Sequence, residues 1–149
     1  MAATTLESKV CVLGLGQVGF PTAEYIEHRG FRVFGYDITE KGSRIFRAYT
    51  NWDDVPKCGT YVVCVPTKWV DEKPDTYAVF DVCEKISRRE GKPLVCIEST
   101  VPVGTCRKVA EFFDEGQLVH VPHRWWSGDQ ENHGVRQIRV IGALDDESM

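Results

Sequence analysis

No apolar stretch in this 149-residue sequence approaches the length needed to span a membrane. Residues Met1 to Lys9 are polar and hold no apolar signal core, so the chain is expected in the cytoplasm with no membrane contact. Basic runs are missing and the formal net charge is −4, which argues against nonspecific nucleic-acid binding. Internal repeats and low-complexity segments are absent, and so is any linker. The chain is therefore read as one domain over 1–149, with flexible ends at 1–8 and 144–149. No C-x-x-C pair occurs among the six cysteines, which disfavours a zinc ribbon or a thioredoxin-like centre. Cys11, Cys64 and Cys96 instead sit inside apolar runs, where cysteine behaves as a small hydrophobe. Cys58, Cys83 and Cys106 fall in a loop or on helices, and all six are expected as reduced, partly buried thiols.

What is present begins with Gly14-Leu15-Gly16-Gln17-Val18-Gly19, directly after the apolar run Val10-Cys11-Val12-Leu13. Asp37 ends a second run, Phe31 to Tyr36. Strand, glycine turn, helix and a following acid at this spacing form the fingerprint of a dinucleotide site. The first glycine permits a tight turn, and the second lets backbone amides approach a pyrophosphate. The third lets the helix pack closely on the sheet with its positive end toward the phosphates. The Asp37 carboxylate would accept bonds from ribose hydroxyls and repel a 2′-phosphate, so NAD is expected in preference to NADP. The competing reading is an ordinary glycine turn with Asp37 as a solvated strand end.

Further along, strand and helix patterns alternate. Strands are expected at Val10–Leu13, Phe31–Tyr36, Tyr61–Val65, Leu94–Ile97, Leu118–Val121 and Ile138–Ile141. Helices are expected at Val18–Arg29, Glu40–Tyr49, Thr76–Arg89 and Val103–Phe113, with a loop from Lys68 to Asp75. That order implies an α/β fold: a Rossmann-type, doubly wound parallel sheet with helices on both faces, in a single domain. Ligands on such sheets lie at the carboxyl ends of strands, where the strand order reverses.

The residues following the strands are distinctive: Val65-Pro66-Thr67, then Ser99-Thr100-Val101-Pro102-Val103-Gly104-Thr105, then Pro122-His123-Arg124. Together with Phe20-Pro21 after the glycine loop and the closing Val140-Ile141-Gly142, they resemble the N-terminal domain of the UDP-glucose/GDP-mannose 6-dehydrogenase family. The resemblance covers nearly the whole chain, and the 99–105 motif is its most specific part.

Members of that family oxidise the C6 alcohol of a nucleotide sugar to a carboxylate in two NAD-dependent steps. The resemblance implies that Gly14, Gly16, Gln17, Val18 and Gly19 hold the pyrophosphate and Asp37 the adenosine ribose. Val65, Pro66 and Thr67 would line the cofactor's path, with Ser99 and Thr100 near the nicotinamide. Thr100 would help position a water beside the reacting carbon. As residues, Ser99 and Thr100 fit a helix N-cap equally well, and both roles stay open.

Three departures qualify the resemblance. The family's nucleophilic cysteine, with its accompanying lysine and asparagine, belongs to a segment that these 149 residues do not include. The two-step oxidation needs a covalent intermediate, so the chain alone is expected not to complete it. His123 stands where the family commonly has a glutamate with acid–base and water-positioning duties. Histidine can move protons near neutral pH, while an ordinary loop histidine is the plainer reading. The stretch between Asp37 and Tyr61 is also short for the family.

His28, His120, His123 and His133 match no common zinc spacing, and no metal is expected. Trp125-Trp126 suggests one ring buried and one against a neighbouring surface, the basis for expecting a homo-oligomer. Two functional readings follow. One is the NAD-binding part of a nucleotide-sugar dehydrogenase, acting with a catalytic partner subunit. The other is a stand-alone NAD-binding module for sensing or scaffolding, or a vestigial one, without chemistry of its own. A methyltransferase using S-adenosylmethionine is a distant third.

Overall fold

The computed structural model describes residues 8–89, 91–114 and 116–144. The ends expected to be flexible therefore lie outside the described residues, apart from Ser8 and Leu144.

Strand β1 (Lys9–Leu13) lies inside a seven-stranded sheet, and residues 10–13 are all buried. On one side it pairs in parallel with β2 (Arg32–Tyr36), which carries β3 (Arg47–Tyr49) at the edge. On the other side come β4 (Thr60–Val63), β7 (Leu94–Ile97) and β8 (Leu118–His120), all parallel. Short β9 (Gly142–Ala143) closes that edge antiparallel to β8. The chain walks outward through β2 and β3, then returns past β1 to β4 and onward. The order reverses between β1 and β4, so the segments that follow these two strands lead to helices on opposite faces and flank a crevice.

Continuous apolar runs in β1, β4 and β7 fit strands covered on both faces. Helix α1 (Gly19–His28) lies over one face, packing Ala23, Phe20 and Ile26 against Val10, Val12, Val33 and Val62. On the opposite face, helix α2 (Tyr77–Ser87) packs Val79, Val82, Cys83 and Ile86 against Leu13, Tyr61, Val63, Val95 and Ile97. Helix α3 (Thr105–Val109) adds Val109 to this second core. The parity of the strand residues assigns each side chain to one core or the other. No helix among the described residues is long and apolar enough to cross a membrane.

Four expectations are corrected. The helix expected at Glu40–Tyr49 is absent. The Ser43 hydroxyl instead accepts from the Ile45 and Phe46 amides, and residues 47–49 extend as β3. Ile45 is exposed while Phe46 is buried against Phe20, so these side chains do not share one helical face. The segment Lys68–Asp75 is not an open loop. It forms an antiparallel hairpin of β5 (Lys68–Val70) and β6 (Lys73–Asp75), turning through Asp71 and Glu72 at positive φ. The last strand is not Ile138–Ile141. Pairing begins at Gly142, and Ile138, Val140 and Ile141 are exposed. Helix α3 is also shorter than expected, continuing as a 3-10 turn over Ala110–Phe112. The four-residue α4 (Gln130–His133) had no sequence signal.

Candidate active site

A cleft of about 650 Å3 opens at the carboxyl end of the sheet, over the β1–β4 reversal. Its size is that of small-molecule sites. Gly14, Gly16, Gln17 and Val18 form one wall, with Tyr36, Asp37, Ile38 and Thr39 beside them. Cys64, Val65, Pro66 and Thr67 after β4 continue the lining, and Glu98, Ser99, Thr100, His123 and Trp125 complete it. Every site residue expected from the sequence is at this cleft except Gly19, which lies behind the loop.

The glycine turn has a steric origin. Gly14 sits at φ +87°, and a Cβ there would meet the Cys64 carbonyl oxygen at 2.7 Å. A Cβ on Gly19 would overlap the Gly14 carbonyl oxygen, so Gly19 sets the approach of α1 to the turn. Gly16 differs: nothing lies within 4 Å of its Cβ position. It faces open space at the cleft wall, as expected where a ligand approaches the backbone. The start of α1 contributes the positive end of a ten-residue helix.

Asp37 is tied to this turn. The Leu15 amide donates to its Oδ2 at 2.8 Å, and the Thr39 amide and hydroxyl donate to Oδ1 at 2.9 and 2.8 Å. Burial pushes the Asp37 carboxyl up, but the Thr39 and Leu15 amides, the Thr39 hydroxyl and the Lys41 charge outweigh it and hold it below the ordinary carboxylate value. The group is thus a carboxylate at neutral pH. Each carboxylate oxygen has further lone-pair sites, so ribose hydroxyls can still donate to it.

At the other end, Ser99 is buried, and its hydroxyl donates to the Val65 carbonyl at 2.7 Å and reaches that of Val63 at 3.3 Å. The Thr67 hydroxyl donates to the Thr100 carbonyl at 2.8 Å. These bonds clamp the ends of β4 and β7 together. Neither Ser99 nor Thr100 is a helix cap, because α3 begins only at Thr105 behind Gly104. Thr100 is exposed at the cleft.

Sequence reasoning missed Glu98 and Arg139. His123 Nε2 lies 2.6 Å from Glu98 Oε2, and the His123 and Glu98 side chains are 4 % and 11 % exposed. Arg139 reaches the same group, touching His123 Nε2 and lying 3.6 Å from Glu98 Oε2, while donating to the Val121 carbonyl at 3.2 Å. A signal for Glu98 did exist, since it directly follows the apolar run Leu94–Ile97. Arg139 had none, lying within a stretch that reads as an apolar strand.

All six cysteines are free thiols. Cys64 lines the cleft, and its Sγ lies 3.6 Å from Glu98 Oε2. Burial, reinforced by the Glu98 charge, pushes the Cys64 thiol well above its ordinary range. Burial likewise lifts Cys58, Cys83 and Cys96 to about 12. None of these four is poised as a thiolate nucleophile.

Residues 39–149 match the family described as UDP-glucose/GDP-mannose dehydrogenase family, NAD binding domain. The chain belongs to this family. It is 29% identical over 170 aligned positions to the UDP-N-acetyl-D-mannosamine dehydrogenase of Methanococcus vannielii, covering 94% of this chain and 40% of that protein. Because 170 positions exceed the 149 residues here, that relative carries insertions relative to this chain. Among solved structures, the UDP-D-ManNAc dehydrogenase of Pyrococcus horikoshii superposes with a TM-score of 0.82 at 24% identity, covering 94% of this chain and 42% of that one. The GDP-mannose dehydrogenase of Pseudomonas aeruginosa gives 0.75 at 18%, covering 93% and 42%. These likenesses establish the Rossmann-type fold. The chain spans about 40% of the length of the curated relatives it matches, as their N-terminal, NAD-binding part.

Proposed function

We propose that the cleft holds NAD in an extended form, as the cofactor-binding part of an enzyme that oxidises the alcohol of a nucleotide sugar. The observation that carries this reading is the cleft itself, which runs from the Asp37 carboxylate across the glycine turn to Ser99, Thr100 and His123. Its donor set fits the group: an ionised acid for a ribose, an open backbone approach at Gly16 for a pyrophosphate, and hydroxyl and imidazole groups at the far end.

In this reading Gly14, Gly16, Gln17 and Val18 present backbone to the pyrophosphate, and Gly19 keeps α1 close enough to assist. Asp37 accepts from the adenosine ribose and excludes a 2′-phosphate by charge. Ile38, left 84 % exposed, supplies an apolar face for the adenine. Val65, Pro66 and Thr67 border the path, while Ser99 holds its strand ends and Thr100 faces the nicotinamide end. The bound cofactor supplies a hydride acceptor. Thr100 and His123 are the chain's candidates for orienting a water or moving a proton there.

No cysteine of the cleft is activated, which supports a nucleophile from elsewhere: a further segment or a partner subunit. Trp126, 60 % exposed, is a candidate contact for such a partner or for a second copy of the chain. Trp125 is instead at the cleft. Six free thiols fit the reducing cytoplasm as its setting.

Amide-resolved NMR titration tests the placement. Adenosine monophosphate should shift the amides of 14–19 and 37–39 only, and NAD⁺ should extend the shifts to 65–67, 99–100 and 123. Identical maps for the two ligands, or shifts confined to another face, would refute it.

A further inference from the structure

The hairpin of β5 and β6 stands apart from the main sheet as a two-stranded sheet of its own, and residues 68–75 are all exposed. A lone pair of strands is marginally stable in water unless a further strand or a helix supports it. The turn adds a cost, because Asp71 and Glu72 hold φ values of +48° and +60° without being glycine. At the middle of β5, Trp69 is left 72 % exposed.

The two outer edges of this hairpin are not alike. A two-residue turn with both φ positive makes the flanking residues, Val70 and Lys73, a pair that bond each other through their backbones. Along antiparallel strands such pairs alternate with pairs whose backbone groups point away. Lys68 and Asp75 are then bonded to each other, while the Trp69 and Pro74 backbones face outward. On β6 the outward residue is a proline, which has no N–H to donate, and that edge is closed to a further strand. On β5 the Trp69 N–H and C=O both point away from the hairpin. No backbone bond to them is found elsewhere among the described residues.

We propose that the outer edge of β5 is an interface between two copies of this chain, paired antiparallel about a two-fold axis at Trp69. Each Trp69 N–H then donates to the Trp69 C=O of the other copy, so that both outward groups of both strands are satisfied. The symmetry is that of most soluble oligomers, and a short strand with one outward residue at its centre is complementary to itself. The pairing also covers the exposed ring. Trp69 and Pro74 stand opposite each other on one face of the hairpin, so the combined four strands carry a row of proline, tryptophan, tryptophan and proline. The charges agree with this register. Val70 falls opposite Lys68 of the other copy, which brings the acidic Asp71-Glu72 turn beside that lysine and opposes no like charges. Thr67, which lines the cleft, directly precedes β5, so the shared sheet joins the rims of two clefts. An edge of three residues makes a small interface of the weak class, with a Kd on the order of 0.1 mM.

Hydrogen exchange of the Trp69 amide, read by NMR beside sedimentation at protein concentrations from about 0.05 to 2 mM, tests the proposal on either side of that Kd. Protection of the Trp69 amide should rise with concentration, in step with a mass that climbs from one copy towards two. Trp69→Pro removes the outward N–H without touching the bonds inside the hairpin, and should hold the protein monomeric throughout. A wild type that stays monomeric at the highest concentration overturns the proposal, leaving the edge to a partner of another kind or to none. A dimer that persists in Trp69→Pro also overturns it, as does a dimer whose Trp69 amide exchanges freely, since the contact then lies elsewhere. If Trp69→Pro fails to fold, the wild-type mass and Trp69 protection decide together.

Discussion

The Leu15 backbone amide donates to the Asp37 carboxylate at 2.8 Å, joining the glycine turn after β1 to the acid at the end of β2. Twenty-two residues separate the two in sequence, yet parallel pairing of β1 with β2 places Leu13 opposite Tyr36 and brings the following loops together. The acid proposed to receive the ribose and the turn proposed to receive the pyrophosphate are thereby one hydrogen-bonded unit.

Replacing Asp37 should therefore affect both the ligand and the turn. Asp37→Ala removes a charged acceptor, a loss of about 1.5–3 kcal/mol and on the order of ten- to a hundredfold in NAD⁺ affinity. NADP⁺, which the wild type should bind more weakly than NAD⁺, should lose its disadvantage. Parallel titrations of the two cofactors check this.

Acid should act on the same group with a definite sign. The Asp37 carboxyl is held below its ordinary value, so its contribution to folding is complete above about pH 3.9 and is lost as pH falls through the folded-state value. The side-chain carbon-13 resonance should accordingly titrate below the ordinary carboxylate range. A midpoint above it contradicts the bonding described for Asp37.

Two glycines of the turn should separate stability from binding. Gly14→Ala places a side chain at φ +87° and 2.7 Å from a backbone oxygen, and strain of this kind costs about 1–3 kcal/mol. Gly16→Ala meets nothing within 4 Å and should leave thermal stability nearly unchanged while reducing NAD⁺ affinity. Thermal melts and calorimetry on both variants read the contrast.

Ser99→Ala should loosen the clamp between β4 and β7. It leaves the Val65 carbonyl without its 2.7 Å donor, worth about 1–3 kcal/mol in a buried setting. Chemical denaturation measures the loss.

The Cys64 thiol should be inert in the folded protein despite its place at the cleft. Burial and the Glu98 charge keep it protonated, so iodoacetamide at pH 8 should label it only on unfolding. Mass spectrometry of labelled native protein checks this.

How much of this was legible in the sequence differs by region. The strands that carry the cleft were, because β1, β2, β4, β7 and β8 are apolar runs ended by the residues that line it. Segment 40–49 was not. Ile45, Phe46 and Tyr49 have helical spacing, but Phe46 is drawn under the sheet by the space at Gly35, where a Cβ would lie 2.8 Å from its ring. A three-residue edge strand is too short to display a period of its own. Segment 138–141 inverts the usual rule. Ile138 and Val140 are 88 % and 72 % exposed, while the Arg139 side chain between them is only 16 % exposed. The guanidinium turns inward because the Val121 carbonyl and the Glu98 carboxylate receive it, partners that a linear reading does not bring together.

The central claim is that this chain's cleft is an NAD site anchored on Asp37. Calorimetric titration with NAD⁺ tests it most directly, with NADP⁺ and Asp37→Ala as controls. Micromolar NAD⁺ binding that weakens on Asp37→Ala, with NADP⁺ much weaker on the wild type, is the predicted result. A folded wild-type protein that binds no NAD⁺, or binds it equally well without Asp37, would contradict the account.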